Sequence, residues 1–232
     1  LDNKTYTAAE IAQNLYSIDE GFVRSFLIAG EGANLLVDCG MGGGGLVPFI
    51  KNISDKPVTV ALTHGDGDHT GALPEFGSCY AHPSEFAFIQ KPGIKLYALW
   101  ENEILSYGGY EFSVIHTPGH TPGSIMLFDH ISGTLIAGDS LQEGPIFMFG
   151  QTRSLSAYVC SLKKLVGLGI GTKAKQVLSM HYKAVYEPSI IPRCLEAAEE
   201  LLGGNLEGTQ PEGNRFGNGC LLYEHNGIKF LY

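Results

Sequence analysis

The sequence predicts a mixed α/β (α+β) chain in which a group of strands is followed by helices and the pattern then repeats. Three observations predict it. Short apolar, β-branched runs such as Val58-Thr59-Val60-Ala61-Leu62 stop abruptly in glycine-rich loops, as buried strands do. The loops that end these runs carry histidine and aspartate. Two longer stretches, Leu155 to Leu168 and Ser189 to Leu202, have the spacing of helices and close the second group.

Taken in order, residues 14 to 38 read as a strand meander: Asn14 to Ile18, then Val23 to Ile28, then Asn34 to Val37 across Glu31-Gly32. Met41 to Gly45 lacks the Gly-Lys-Ser/Thr ending of a phosphate loop and reads as a flexible connection to a helix around Leu46 to Ile53. Val58 to Leu62 leads into Thr63-His64-Gly65-Asp66-Gly67-Asp68-His69-Thr70-Gly71, whose glycines let the backbone turn while His64, Asp66, Asp68 and His69 project together. Imidazole mixed with carboxylate suits zinc, iron or manganese, whereas calcium and magnesium favour all-oxygen sites. This is a metal-binding loop by composition.

A short helix from His69 to Phe76, a strand at Ser78 to Ala81 and a helix at Pro83 to Ile89 are expected next, with His82 a structural histidine. Lys91 to Glu103, with Tyr97 and Trp100, has no clean period and reads as a loop covering the site. Phe112 to Ile115, Ser124 to Phe128 and Thr134 to Ala137 are expected to build a second sheet. Between and after them lie His116-Thr117-Pro118-Gly119-His120-Thr121 and Gly138-Asp139-Ser140, and Val177 to Met180 ends at His181. Ligands on separate strand ends are what a dinuclear site needs, because one loop cannot encircle two cations. Gln142 to Ser156 follows Asp139 and is the segment where substrate selectivity is expected, in Phe147, Phe149 and Arg153. Leu155 to Leu168 is a helix, and Ser189 to Leu202, stopped by Gly203-Gly204, is an amphipathic one. Asn205 to Asn218 reads as a loop before a hairpin of Cys220 to Tyr223 and Ile228 to Leu231, turned at Asn226-Gly227.

This order of motifs resembles the metallo-β-lactamase-fold hydrolases, and within them the glyoxalase II-like small thioester, lactone or ester hydrolases. The resemblance covers nearly the whole chain and includes Leu36-Val37-Asp38-Cys39-Gly40 as the early strand-Asp-x-Gly element. It implies a four-layer αββα sandwich forming one domain over 1–232, with halves of about 1–115 and 116–232. Carried over residue by residue, it implies one metal at His64, Asp66 and His120, a second at Asp68, His69 and His181, and Asp139 bridging them. His116 then reads as structural, like His82. Asp38 is expected to orient ligands without ligating. Asp66 stands where the commonest family motif has histidine, and its carboxylate is expected to move that site towards iron or manganese, to weaken it or to leave it empty.

The implied reaction is metal-dependent hydrolysis of a thioester, ester or lactone, with a hydroxide shared by two divalent cations, zinc first and iron or manganese as alternatives. Asp68 and Asp139 are the catalytic carboxylates in this reading. A diiron oxidoreductase with a separate electron donor, motivated by Asp66, and a phosphodiesterase are the rivals. No counterpart of the helical domain with which glyoxalase II holds glutathione is expected in this sequence, so the substrate expectation stops at the bond class.

Fifteen basic and twenty-four acidic residues give a net charge of −9, which opposes broad attraction to nucleic acid. The expected partner is a small molecule. No apolar run approaches the length needed to cross a bilayer, so a soluble, cytoplasmic protein is expected, with a processed start suggested by Leu1. Cys39, Cys79, Cys160, Cys194 and Cys220 are odd in number and scattered, and read as buried free thiols. His130 and His225 are expected at the surface.

Overall fold

The computed structural model describes residues 5–211 and 219–232. The part of the expected 205–218 loop beyond residue 211 lies outside them. The first sheet is assembled in chain order from β1 (Thr7–Ala12), β2 (Leu15–Asp19), β3 (Arg24–Ile28), β4 (Asn34–Val37), β5 (Val58–Ala61), β6 (Ser78–Ala81) and β7 (Lys95–Ala98). Its first four strands are antiparallel neighbours, and β4 to β7 run parallel. The short helices α1 (Leu46–Lys51) and α2 (Leu73–Phe76) supply connections among the parallel strands.

The second sheet takes β8 (Ile104–Tyr107), β9 (Tyr110–His116), β10 (Ile125–Asp129), β11 (Thr134–Ile136), β13 (Gln176–Leu178) and β14 (Val185–Tyr186), in the spatial order β14-β13-β11-β10-β9-β8. The remaining elements are β12 (Ile146–Phe147), α3 (Leu155–Gly167), α4 (Ile170–Lys173), α5 (Ile190–Leu202), β15 (Leu222–His225) and β16 (Ile228–Leu231). The last two form the hairpin expected at Asn226-Gly227, and β16 also pairs in parallel with β12.

Alternation along the strands divides the apolar side chains into layers. Phe26, Ile28, Leu35 and Val37 meet Phe112, Val114, Ile125 and Leu127 between the sheets. Leu27, Leu36 and Val60 turn the other way, onto Leu46 and Ile50 of α1 and Leu73 of α2. Met126, Phe128, Leu135 and Val177 pack outward against Leu162 and Leu165 of α3 and Ala197 and Ala198 of α5. The result is helix, sheet, sheet, helix, the αββα order.

Local signals account for the helix ends. Ser154 caps α3, its side chain accepting from the Ala157 amide at 3.2 Å. Pro192 sits in the first turn of α5, where its missing amide costs no intrahelical bond.

Five sequence expectations change, the first being the helix expected from His69 to Phe76, which spans only Leu73–Phe76. Lys91 to Glu103 is no cover for the site, because Lys95–Ala98 is β7, paired with β6 at the edge of the first sheet. Pro83 to Ile89 forms only a 3₁₀ turn, Pro83–Glu85, held by the His82 side chain accepting from Ser84. Cys160 is exposed on α3, while the other four thiols are buried and unpaired. His130 is exposed as expected, but His225 is half-buried beside Glu196. The chain passes from the first sheet to the second between Ala98 and Ile104. No helix among the described residues is long and apolar enough to cross a membrane.

Candidate metal centre

One rim of the sandwich collects the ends of five strands, and a side chain fixed behind the site does the first positioning. Asp38 follows β4 with φ +60°, a backbone region that Asp tolerates better than most residues. Its fully buried carboxylate reaches the start of the metal loop, accepting from the Thr63 amide at 2.7 Å and the Thr63 hydroxyl at 2.6 Å. It also accepts from His69 Nδ1 at 2.8 Å.

This network assigns the imidazole protons. A carboxylate or carbonyl oxygen only accepts, so Nδ1 donates in His69 to Asp38, in His120 to the Phe147 carbonyl at 3.0 Å and in His181 to the Phe22 carbonyl at 2.8 Å. The Thr63 hydroxyl already donates to Asp38, so it accepts from His64 Nδ1 at 3.0 Å. Every Nε2 is thereby left for the centre.

There the seven side chains named from the sequence come together. Two trios present one donor atom each within 4.8 Å of one another: His64, Asp66 and His120, and Asp68, His69 and His181. Asp139 lies between the trios. Its Oδ2 is 3.2 Å from His181 Nε2, 3.8 Å from His120 Nε2 and 4.0 Å from His64 Nε2, and its Oδ1 is 3.4 Å from His69 Nε2. A third trio, Asp38, His64 and His69, also meets the distance criterion. The Asp38 oxygens are committed to Thr63 and His69, so it is a support and not a competing seat.

The donor set fits divalent cations. The Nε2 atoms of His64, His69 and His120 and Asp139 Oδ1 are buried with no hydrogen-bond partner. Four buried polar atoms without a hydrogen-bond partner would cost several kcal/mol if left with neither a cation nor a proton, at about 1–3 kcal/mol each.

The metal-free centre stores protons instead. Burial alone would push the His181 imidazole down, but the charge of Asp139 and the hydrogen bonds that His181 donates to Asp139 and Asp68 push it up to about 10, and Asp139 and Asp38 raise His69 in the same sense. Burial likewise opposes the charge on Asp139, yet His69 and His181 hold its carboxyl well below the ordinary range. His181 therefore stabilises the metal-free fold fully below pH about 6.5 and loses that contribution as pH rises through about 10. The thermal midpoint of chelator-treated protein should fall across that window. Metal uptake at pH 7 should release protons, read as a dependence of the calorimetric heat on buffer ionisation enthalpy. A heat identical in phosphate and Tris would contradict this.

Residues not singled out in the sequence hold the loops. The Glu85 carboxylate, fully buried, accepts from the Gly65 amide and the Gly123 amide, each at 2.6 Å, and so ties the His64 loop to the His120 loop. A Cβ at either glycine would stand 2.8 Å from the Glu85 side chain, which is why both positions are glycine. Arg24 donates to the carbonyls of Ser179 and Tyr182 on either side of His181, and pairs with Asp19 at 3.1 Å. Tyr158 of α3 donates to the Ser140 carbonyl at 2.6 Å beside Asp139. A charged residue inside the apolar run Val23 to Ile28 was the visible sign of Arg24. Glu85 had none.

A cavity of about 100 Å³ opens on the centre, lined by Asp66, Asp68, Asp139 and His181 on one side and by Phe22, Pro145, Phe147 and Tyr182 on the other. Phe147 is thus part of the cavity wall. Phe149 lies beside Phe147 at 5.7 Å between ring centroids but does not line the cavity. Arg153 is committed to Asp66 Oδ2 at 2.6 Å and to the His120 carbonyl at 2.8 Å. His82 and His116, read as structural, stack on each other at 4.0 Å away from the centre, and His116 Nε2 donates to the Pro122 carbonyl. A larger open hollow of about 1010 Å³ runs past Ala12, Gly30, Gly108 and Ser132 and contains none of these donors.

The sequence profile of the Metallo-beta-lactamase superfamily matches residues 18–83 and 93–174. An acyl-coenzyme A thioesterase, MBLAC2, of Gallus gallus is 23% identical over 218 residues, 74% of this chain and 79% of that protein. A hydroxyacylglutathione hydrolase of Xylella fastidiosa is 30% identical over 153 residues, covering 63% of this chain and 55% of that enzyme. In fold, the chain is similar to a metallo-beta-lactamase from Pontibacter korlensis, with a TM-score of 0.71 at 16% identity over 84% of this chain and 99% of that one.

Proposed function

Since the chain belongs to the metallo-beta-lactamase superfamily, we propose that it is a dinuclear metal-dependent hydrolase acting on a thioester, ester or lactone. The observation that carries this reading is the set of inward, unpartnered acceptors on His64, His69, His120 and Asp139. His64, Asp66 and His120 would hold one ion, Asp68, His69 and His181 the other, and Asp139 both, within one domain whose two sheets each supply donors. Divalent ions in these seats would make hydroxide available at neutral pH, because coordination lowers the pKa of water from about 15.7 towards about 7.

The chain's own residues supply the rest. Asp38, Thr63 and the carbonyls of Phe22 and Phe147 fix the imidazole tautomers, so no ligand has to reorient. Asp68 faces the cavity with Oδ2 3.3 Å from His181 Nε2, where it can orient the attacking oxygen while ligating. Phe22, Pro145, Phe147 and Tyr182 form an apolar wall against which the acyl part of a substrate packs and from which water is displaced. The name of the Gallus gallus relative puts acyl thioesters first on the substrate panel.

The test is elemental analysis of protein purified without added metal, followed by thioester, ester, lactone and phosphodiester substrates. About two zinc ions per chain with turnover of an acyl substrate is the expected result. About two irons with oxygen consumption and no hydrolysis would replace this reading with the oxidoreductase, and cleavage confined to phosphodiesters would replace it with the phosphodiesterase.

A further inference from the structure

We propose that Arg153 is a positioning residue of the metal centre, and that it and Asp66 work only as a pair: the guanidinium aims the carboxylate and cancels the negative charge it adds to the ligand set. The inference rests on the metal-centre reading above.

Asp66 Oδ2 is the atom that faces both imidazoles of its trio, 3.3 Å from His120 Nε2 and 3.5 Å from His64 Nε2. The same oxygen receives the Arg153 Nη2 proton at 2.6 Å. Arg153 Nη1 donates to the main-chain carbonyl of His120 at 2.8 Å, so one planar fork fixes two of the three members relative to each other. The fork is itself fixed. Arg153 immediately precedes the cap of α3, and the next amide, Ser154, donates to the Gly119 carbonyl at 2.8 Å beside His120.

Arg153 is also placed to act through charge. Its side chain is 13% exposed, and among the described residues it is the one Lys or Arg in ion-pair contact with any of the seven donors. Arg24 is committed to Asp19 and Lys183 to Glu143. A carboxylate at position 66 makes the first trio one unit more negative than an imidazole would, and the guanidinium restores the balance. With a neutral side chain at 66, that guanidinium would be left nearly buried beside a divalent cation with no anion of its own, a repulsive arrangement.

The experiment is a double-substitution cycle read by zinc affinity, through competition with a chromophoric chelator, and by zinc stoichiometry. Asp66→His and Asp66→Asn are each measured alone and combined with Arg153→Met, beside the wild type and Arg153→Met. The asparagine pair keeps the size of Asp66 and serves if the histidine variants fail to fold. Asp66→His or Asp66→Asn should weaken the less tightly held zinc by about 10- to 100-fold. Adding Arg153→Met should recover about tenfold, although it removes a second side chain from the centre. If both double variants bind zinc no better than their Asp66 parents, the pairing is refuted. Loss of the metal-free fold in Arg153→Met, seen by far-UV circular dichroism, would also refute it by making Arg153 a structural brace. If the wild type takes up no zinc, the metal-centre reading falls first and this inference with it.

Discussion

Asp139→Ala should lose bound metal and turnover together, with content falling from about two ions per chain towards none and the rate by at least about 10³, or about 4 kcal/mol of barrier. The carboxylate lies 3.2–4.0 Å from the Nε2 atoms of His64, His69, His120 and His181, and among the described residues no other side chain approaches as many of the proposed ligands. Its removal leaves the two trios without a shared anion. His120→Ala should give the same joint loss through one trio alone. Elemental analysis and a rate assay on the same preparation check this, and an Asp139→Ala protein that retained two ions and full activity would refute the assignment.

Glu85→Ala should be among the most destabilising single changes in the chain, although Glu85 touches no proposed ligand side chain. It strands the amides of Gly65 and Gly123 in a fully buried position, at about 1–3 kcal/mol each, or about 2–6 kcal/mol together. Glu85→Gln keeps one oxygen acceptor and should lose about half as much. Urea unfolding of the metal-free proteins reads this directly, with zinc affinity falling in parallel as the His64 and His120 loops separate. An unfolding free energy within about 1 kcal/mol of wild type for Glu85→Ala would show that water or rearranged backbone satisfies both amides.

The contrast between Asp139 and Glu85 marks what a sequence reveals about this molecule. The His and Asp side chains at strand ends marked candidates because metal chemistry restricts residue type, but the choice of seven proposed ligands among them and the supporting role of Asp38 came from the family resemblance. Glu85 was not marked, because its two partners lie 20 and 38 residues away and its bonds go to backbone amides, which leave no side-chain pattern. Arg153 was placed near the centre, but its partner is 87 residues distant and its role depends on that contact.

The fold divides in a similar way. Buried strands such as β3 and β10 were legible because apolar side chains fill them. Neither β1 nor β7 was, since both are edge strands whose residues are mostly exposed or half-buried, so neither face shows a hydrophobic period. The helix expected at Pro83 to Ile89 shortened to one turn, where the Glu85 carboxylate turns inward to the two ligand loops.

The first sheet precedes the second entirely in the chain, and this sets a sequence of events during synthesis. When β7 has emerged, His64, Asp66, Asp68 and His69 are all present, but His120, Asp139 and His181 are not. An ion captured at that stage meets an open, half-built coordination shell. The orienting bonds to His120 and His181 also join distant segments, so a fully coordinated centre forms only after the nascent chain has passed residue 181 and the sheets have docked. Metal uptake during translation would therefore report the completion of tertiary assembly, and a loaded centre would act as a late lock on the folded chain.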